Sequence, residues 1–231
     1  MRSKFGVSVV VPVYNNADIL PVTIQRLTDF FSREFARYEI IFVDDGSDDE
    51  SWQILQIAAS ENPKIRLLKH EKNLDQQQAV ADGSLAAQED IIVNIDVHIS
   101  CALADLKKIA LIAYQGTELV FGRRTGGPPH GWWRRLGTRF VGWLFRLLYS
   151  YRMSDFGCSI GAVRRSLVDR MRQNQDSVRI WLLKVELLRY ATSYTEVDIG
   201  PPEINRPRKS GYTLLKLAKR FWAIIWYKLA R

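Results

Sequence analysis

The sequence predicts an α/β protein with a mostly parallel central sheet and helices on both faces. Two observations carry this. Five short apolar runs rich in β-branched residues recur through the first half, and segments of helical periodicity separate them. Runs that are apolar at nearly every position suit strands covered on both faces, whereas a half-exposed strand would alternate. Strand and helix in turn up to about residue 122 imply right-handed crossovers, and so parallel pairing.

The first strand is "VSVVVPV" at 7–13, an apolar run that meets Pro12 and Asn15 too soon for a signal peptide. Leu20, Ile24, Leu27 and Phe31 then repeat at helical spacing after Asp18. The second strand is "YEIIFVD" at 38–44, and "SDDE" at 47–50 has the form of a capping box ahead of "SWQILQIAAS". Strands three to five are "IRLLKH" at 65–70, "DIIVNID" at 90–96 and "ELVFG" at 118–122. After Arg124 the character changes: "TGGPPHG" reads as a loop, and "WWRRLGTRFVGWLFRLLYSY" as an aromatic, basic helix. No internal repeat or low-complexity segment interrupts this order.

At 231 residues with 47% hydrophobic content, the chain suits one domain with a real core. Lys and Arg number 33 against 25 Asp and Glu, and the net charge of +8 favours an anionic partner: nucleic acid, a phosphorylated ligand or a lipid head-group surface. Cys101 and Cys158 are too few for a disulfide framework or a thiolate zinc site, and read as reduced thiols in a cytosolic chain. No apolar run approaches the roughly 20 residues of a membrane span. The expectation is a protein that is soluble or lies on a membrane.

In an open parallel sheet the ligand crevice lies at the carboxyl ends of the strands. Pro12, Tyr14, Asn15 and Asn16 follow strand one; Asp44, Asp45, Gly46 and Ser47 follow strand two; Asp96 follows strand four. Neither GxGxxG nor a P-loop is present, which disfavours hydride transfer and P-loop phosphoryl transfer. A lone Asp after a strand is commonly a cap or turn residue, and Asp48 and Asp49 are read so. Two adjacent carboxylates opposite Asp96 point instead to function.

"VVVPVYNN", "IIFVDDGSDDES" and "NLDQQQAVADGSLAAQEDIIVNID" closely resemble the inverting family 2 glycosyltransferases of GT-A fold. "FGRRTGGPPHGWWRRLGTRF", "SDFGCSIGAVRRSLVDRM" and "INRPRKSGYTLLKL" look like the polyprenyl-phosphate branch, the dolichyl-phosphate mannose synthase type. The resemblance implies one GT-A domain over 1–231, with a nucleotide-sugar half (1–124) and an acceptor-binding, membrane-facing half (125–231). It assigns donor binding to Pro12, Tyr14, Asn16, Val43, Asp44, Asp45, Gly46, Gln76, Asp96 and Val97, with Arg206, Lys209 and Ser210 over the diphosphate. It places Arg123, Arg134 and Thr138 on the acceptor phosphate. Asp96, Arg123, Arg134 and Asp155 are the catalytic candidates, Asp155 as the base that a hydroxyl acceptor would need.

A nucleotide sugar's diphosphate gains charge as the sugar bond breaks, and a cation such as Mg2+ or Mn2+ can offset it. Asp96 is the expected ligand, with His98 as a second candidate. Polypeptide N-acetylgalactosaminyltransferases are similar in using an Asp, any residue, His pattern with manganese. His98 is otherwise an exposed or hydrogen-bonded histidine at the strand's end. The chain departs from the branch at Asn16 (Glu), Asp75 (Gly), Glu89 (a small residue), Ser100 (Gln) and "ISCALAD". Arg124, Arg135 and Arg139 read as solvated, and His130 as a loop residue.

Trp132, Trp133, Phe140, Trp143, Leu144, Phe145 and Leu147 mix with arginines as in interfacial helices. "YTLLKLAKRFWAIIWYKLAR" at the C-terminus repeats the combination. Amphipathic C-terminal helices and peripheral attachment to the cytoplasmic face of a membrane are expected, and no nucleic-acid module is recognisable. The expected reaction is sugar transfer from a nucleotide sugar to a polyprenyl phosphate. The alternatives are transfer to a sugar hydroxyl in a surface polysaccharide, and a non-catalytic nucleotide-binding relative.

Overall fold

Every second residue of the first strand turns to the same face, and both faces of this strand are apolar, so both must be covered. The computed structural model describes residues 2–125, 153–155, 157–173 and 183–201. The elements run β1 (Ser3–Val13), α1 (Leu20–Glu34), β2 (Phe35–Asp44), α2 (Ser51–Glu61), β3 (Ile65–Lys69), α3 (Gln76–Ala86), β4 (Ile91–Asn94), α4 (Leu103–Tyr114) and β5 (Leu119–Arg124). They continue with β6 (Gly161–Arg164), α5 (Arg165–Gln173), α6 (Leu183–Tyr190) and β7 (Tyr194–Ile199).

The strands form one sheet in the order β3-β2-β1-β4-β6-β5-β7. All neighbours are parallel except β6, which runs antiparallel between β4 and β5. Val7, Val9, Val11 and Val13 of β1 pack with Leu20 and Leu27 of α1 and Leu106 and Ile109 of α4. Val10, with Ile41, Val43 and Ile92, packs on the opposite face against Ala79 of α3, Leu167 of α5 and Leu187 of α6. The period of two thus divides β1 between two cores. α3 lies so close to the sheet that a Cβ on Gly83 would stand 2.4 Å from Val10 Cγ1.

Pro12 would be out of place in a strand hydrogen-bonded on both sides. β1 pairs with β4 only from Val7 to Val10, so Pro12 lies past that ladder, opposite Val43 of β2. From there β1 keeps only its β2 partner, as far as Val13, before the loop that carries Tyr14 to Asn16.

One expectation needs correcting. The capping box at 47–50 does not form: Glu50 precedes α2 without a side-chain cap, and Ser47 Oγ instead accepts from Asn15 N at 3.0 Å. Asp49 accepts from Ser51 N and from Ala17 N, each at 3.0 Å. The polar side chains after β2 are drawn into binding the loop after β1. Beyond the five predicted strands, β6 and β7 complete the sheet. No described helix is long and apolar enough to cross a membrane. The predicted helices around 132–151 and 212–231 lie outside the described residues.

Candidate active site

The carboxyl ends of β1, β2, β4 and β5 open on one edge of the sheet. Because β6 runs antiparallel, its leading residues, 158–160, arrive at that same edge. Asp44 ends β2, is fully buried, and neither of its carboxylate oxygens has a hydrogen-bond partner among the described residues. Asp45, one residue on, is saturated. Its Oδ1 accepts from His70 Nδ1 at 2.7 Å and Leu74 N at 2.9 Å, and its Oδ2 accepts from Asp75 N at 3.1 Å. Adjacent carboxylates leaving a strand point to opposite sides, which explains their different surroundings.

Gly46 follows with φ +72, and a Cβ there would stand 2.5 Å from the carbonyl carbon of Lys72. Only glycine fits so close to the backbone of residues 72 and 73. Asn15, at φ +52, accepts from Asp48 N at 2.8 Å, and Asn16 N donates to Ser51 Oγ at 3.0 Å. These bonds knit the loops after β1 and β2 together and leave Tyr14 43% exposed beside them. Among the other expected donor residues, Pro12 and Val43 are buried and Gln76 is exposed at the start of α3. Val97 buries its side chain, and its carbonyl accepts from Thr23 Oγ1 at 2.7 Å.

Asp96 stands two residues past β4 and is 6% exposed. Its Oδ1 accepts from His98 N at 3.1 Å and Ser100 Oγ at 2.8 Å, which curls the chain into a tight turn. Ile99 within that turn has φ +50, a conformation a β-branched residue rarely adopts, at a cost of order 1–3 kcal/mol. Among the described residues no three His, Cys, Asp or Glu side chains gather as a self-sufficient metal cage. A single carboxylate here fits a cation whose remaining ligands come from a substrate's phosphates.

At the end of β5 the two arginines part company. Arg123 faces its register partner Asp198 on β7, Nε to Oδ1 at 2.5 Å, in an exposed pair. Arg124 turns to the other side and grips Asp155 with Nε at 2.7 Å and Nη2 at 2.8 Å, largely out of solvent and within the electrostatic reach of Asp96. Burial alone would push the Asp155 carboxyl up, but the Arg124 hydrogen bonds and charge outweigh it and hold the carboxyl below its usual range. The expectation that Arg124 is a solvated residue is therefore corrected: it is the arginine that β5 turns inward. A carboxylate so held is a weak proton acceptor, which counts against Asp155 as a base.

Lys184 on α6 donates to the carbonyl of Cys158 and lies 5.2 Å from the Phe121 ring centroid. Burial lowers its ammonium to about 8, and burial raises the neighbouring Cys158 thiol. Sequence reasoning missed Lys184, His70 and Asp82. Alternation along "LVFGRR" separates Arg123 from Arg124 but leaves open which one turns inward, and Lys184 and His70 carry no local signal at all. Arg134, Thr138, Arg206, Lys209 and Ser210 lie outside the described residues.

Known proteins resemble this chain in sequence and in fold. The chain is 27% identical over 220 residues to the undecaprenyl-phosphate 4-deoxy-4-formamido-L-arabinose transferase of Aeromonas hydrophila, covering 95% of this chain and 66% of that relative. It therefore spans about two thirds of the length of that curated relative. Mannosyl-3-phosphoglycerate synthase from Rubrobacter xylanophilus superposes with a TM-score of 0.64 at 20% identity, over 98% of this chain and 73% of that one. A mannosyltransferase from Pyrobaculum calidifontis in complex with GDP-Man and Mn2+ gives 0.63 at 16% identity, over 96% and 65%. At such identities the likeness speaks for the fold, which is the GT-A arrangement expected from the sequence. The family model described as Glycosyl transferase family 2 matches residues 8–173, from within β1 to the end of α5, and the chain belongs to that family.

Proposed function

We propose that this protein transfers a sugar from a nucleotide-sugar donor to a polyprenyl phosphate, with inversion at the anomeric carbon and with help from Mg2+ or Mn2+. The observation that carries this reading is the buried, unpartnered carboxylate of Asp44 at the nucleotide end of a family 2 fold. A buried carboxylate without donors is strongly unfavourable, so the site is built for a ligand that brings them. Nucleobase N–H groups and ribose hydroxyls are such donors. Tyr14, 43% exposed on the loop after β1, would be free to stack on the same nucleoside.

Asp96, with His98 beside it, would hold the cation. When bound, the cation offsets the charge that develops on the departing diphosphate. A phosphate oxygen of the acceptor attacks the anomeric carbon, the bond from that carbon to the diphosphate breaks, and the nucleoside diphosphate leaves with the electron pair. The acceptor phosphate is already ionised near neutral pH, so no base has to remove a proton. That suits a site in which Asp155 is kept ionised by Arg124. The Aeromonas hydrophila relative is an undecaprenyl-phosphate sugar transferase by name, which supports a lipid phosphate as the acceptor here.

On this reading Arg124, fixed by Asp155, holds a guanidinium near Asp96, where the acceptor phosphate would meet the donor. Arg123, Arg134 and Thr138 on the acceptor, and Arg206, Lys209 and Ser210 over the diphosphate, follow from the resemblance. The aromatic and basic segments of the second half hold the protein against the cytoplasmic face of the membrane. Incubation with undecaprenyl phosphate, a panel of nucleotide sugars and Mg2+ or Mn2+ tests the proposal. Release of a nucleoside diphosphate and formation of a glycolipid are expected, and absence of both with every donor sinks it. A sugar-hydroxyl acceptor would be favoured instead if Asp155→Asn abolished transfer while Arg134→Ala did not.

A further inference from the structure

We propose that His70 is a positioning residue for the nucleotide site, acting through Asp45 to hold residues 72–75 against the end of β2. The inference rests on the donor reading of Asp44. His70 is nearly buried at the end of β3, and each ring nitrogen faces a carboxylate: Nδ1 lies 2.7 Å from Asp45 Oδ1, and Nε2 lies 3.1 Å from Asp82 Oδ2 on α3. Asp45 in turn accepts the backbone N–H groups of Leu74 and Asp75 at 2.9 and 3.1 Å. An ionised carboxylate can only accept, so the ring nitrogen facing Asp45 donates.

The segment that Asp45 holds is the one that closes on Gly46, where the backbone of Lys72 comes within 2.5 Å of where a Cβ would stand. His70 N also donates to the carbonyl of Asp44 at 2.8 Å, so the histidine touches the backbone of one carboxylate and the side chain of the next. Asp45 thus acts as a staple between the end of β2 and residues 74–75. His70 orients the staple, and the segment packed against Gly46, next to Asp44, follows. The arm to Asp82 is longer and more exposed, and Gln78 Nε2 donates to both of the Asp82 oxygens at 3.1 Å, so that carboxylate keeps a partner without His70. The Asp45 arm is the one that matters.

Side-chain geometry separates the arms. The amide nitrogen of asparagine falls where histidine has Nδ1, and that of glutamine falls where it has Nε2. His70→Asn therefore keeps the bond to Asp45, His70→Gln keeps only the bond to Asp82, and His70→Ala keeps neither. Binding of UDP and GDP to the full chain is measured by calorimetry with Mn2+, and exchange of the Leu74 and Asp75 amides is measured without ligand. The expected result is affinity weakened about tenfold, and amide exchange faster by a similar factor, in His70→Ala and His70→Gln, with His70→Asn close to the wild type.

A role through side-chain bulk alone would favour glutamine over asparagine, and that order in both measurements overturns the proposal. So does unchanged exchange in His70→Ala, or altered exchange with unchanged affinity. If exchange follows the expected order while the wild type binds neither nucleotide, the staple stands and the donor reading of the site fails.

Discussion

Arg124 and Asp155 meet through two hydrogen bonds, Nε to Oδ2 at 2.7 Å and Nη2 to Oδ1 at 2.8 Å, while the preceding Arg123 sits in an exposed pair with Asp198. A fork of two parallel bonds is specific to guanidinium. Arg124→Lys should therefore lose most of the transfer activity. Removing either partner leaves a largely buried charge, and the expected loss of stability is about 1–3 kcal/mol in urea denaturation. Arg123→Ala should leave the urea midpoint unchanged, because an exposed ion pair is screened by solvent.

Asp44 should show opposite effects on stability and binding. Asp44→Asn removes a buried charge that has no partner among the described residues. A higher melting temperature is expected together with nucleotide affinity weakened by at least about tenfold, as for a group kept for its ligand rather than its fold. A fall in stability with unchanged affinity would count against the donor reading.

Gly46 has no room for a side chain, and the obstruction is backbone rather than a flexible side chain. Gly46→Ala should displace residues 72–73 and weaken nucleotide binding more than it lowers the melting temperature. Calorimetry and thermal denaturation on the same sample measure both.

Asp75 occupies φ +90 and ψ 147, a region almost reserved for glycine, and at the same time caps α3 by accepting from Gln77 N. The strain is of order 1–3 kcal/mol and the cap about 1 kcal/mol. Asp75→Ala loses the cap and keeps the strain, so it should be destabilising. Asp75→Gly relieves the strain, and the difference between the two variants in denaturant should be about 1–3 kcal/mol in favour of glycine.

Glu39 is buried at the far edge of the sheet from the site. Burial pushes its carboxyl up, but the Ser8 hydroxyl, Arg66 and the Gln88 N–H outweigh it, and the net shift is downward. With the folded value below the unfolded one, the stabilisation is complete above the unfolded carboxyl range, about pH 4.3, and is lost as pH falls through the folded value. The urea midpoint should decline below about pH 4.5 in the wild type, and more gently in Glu39→Gln.

The strands β1 to β5 were legible because a strand covered on both faces is written as an unbroken apolar run. The placement of Asp44, Asp45, Gly46 and Asp96 past those strands followed from the same runs. β6 and β7 were not legible: "GAVR" has only four residues, too short for a pattern, and "YTEVDI" alternates weakly. Their hydrogen-bond partners lie about 40 to 75 residues away along the chain.

The amino-acid sequence by itself determined the α/β layout, the edge on which ligands gather and the carboxylates that stand there, since local periodicity and strand ends are enough for these. Only the tertiary structure decided the work of each polar group. Whether Asp44 or Asp45 is left for a ligand, which arginine turns inward, and whether His70 touches the site depend on register and on loops brought together from separate strands. Hydrogen bonds reach only about 3 Å, and residues far apart in the chain come that close only once the sheet has formed.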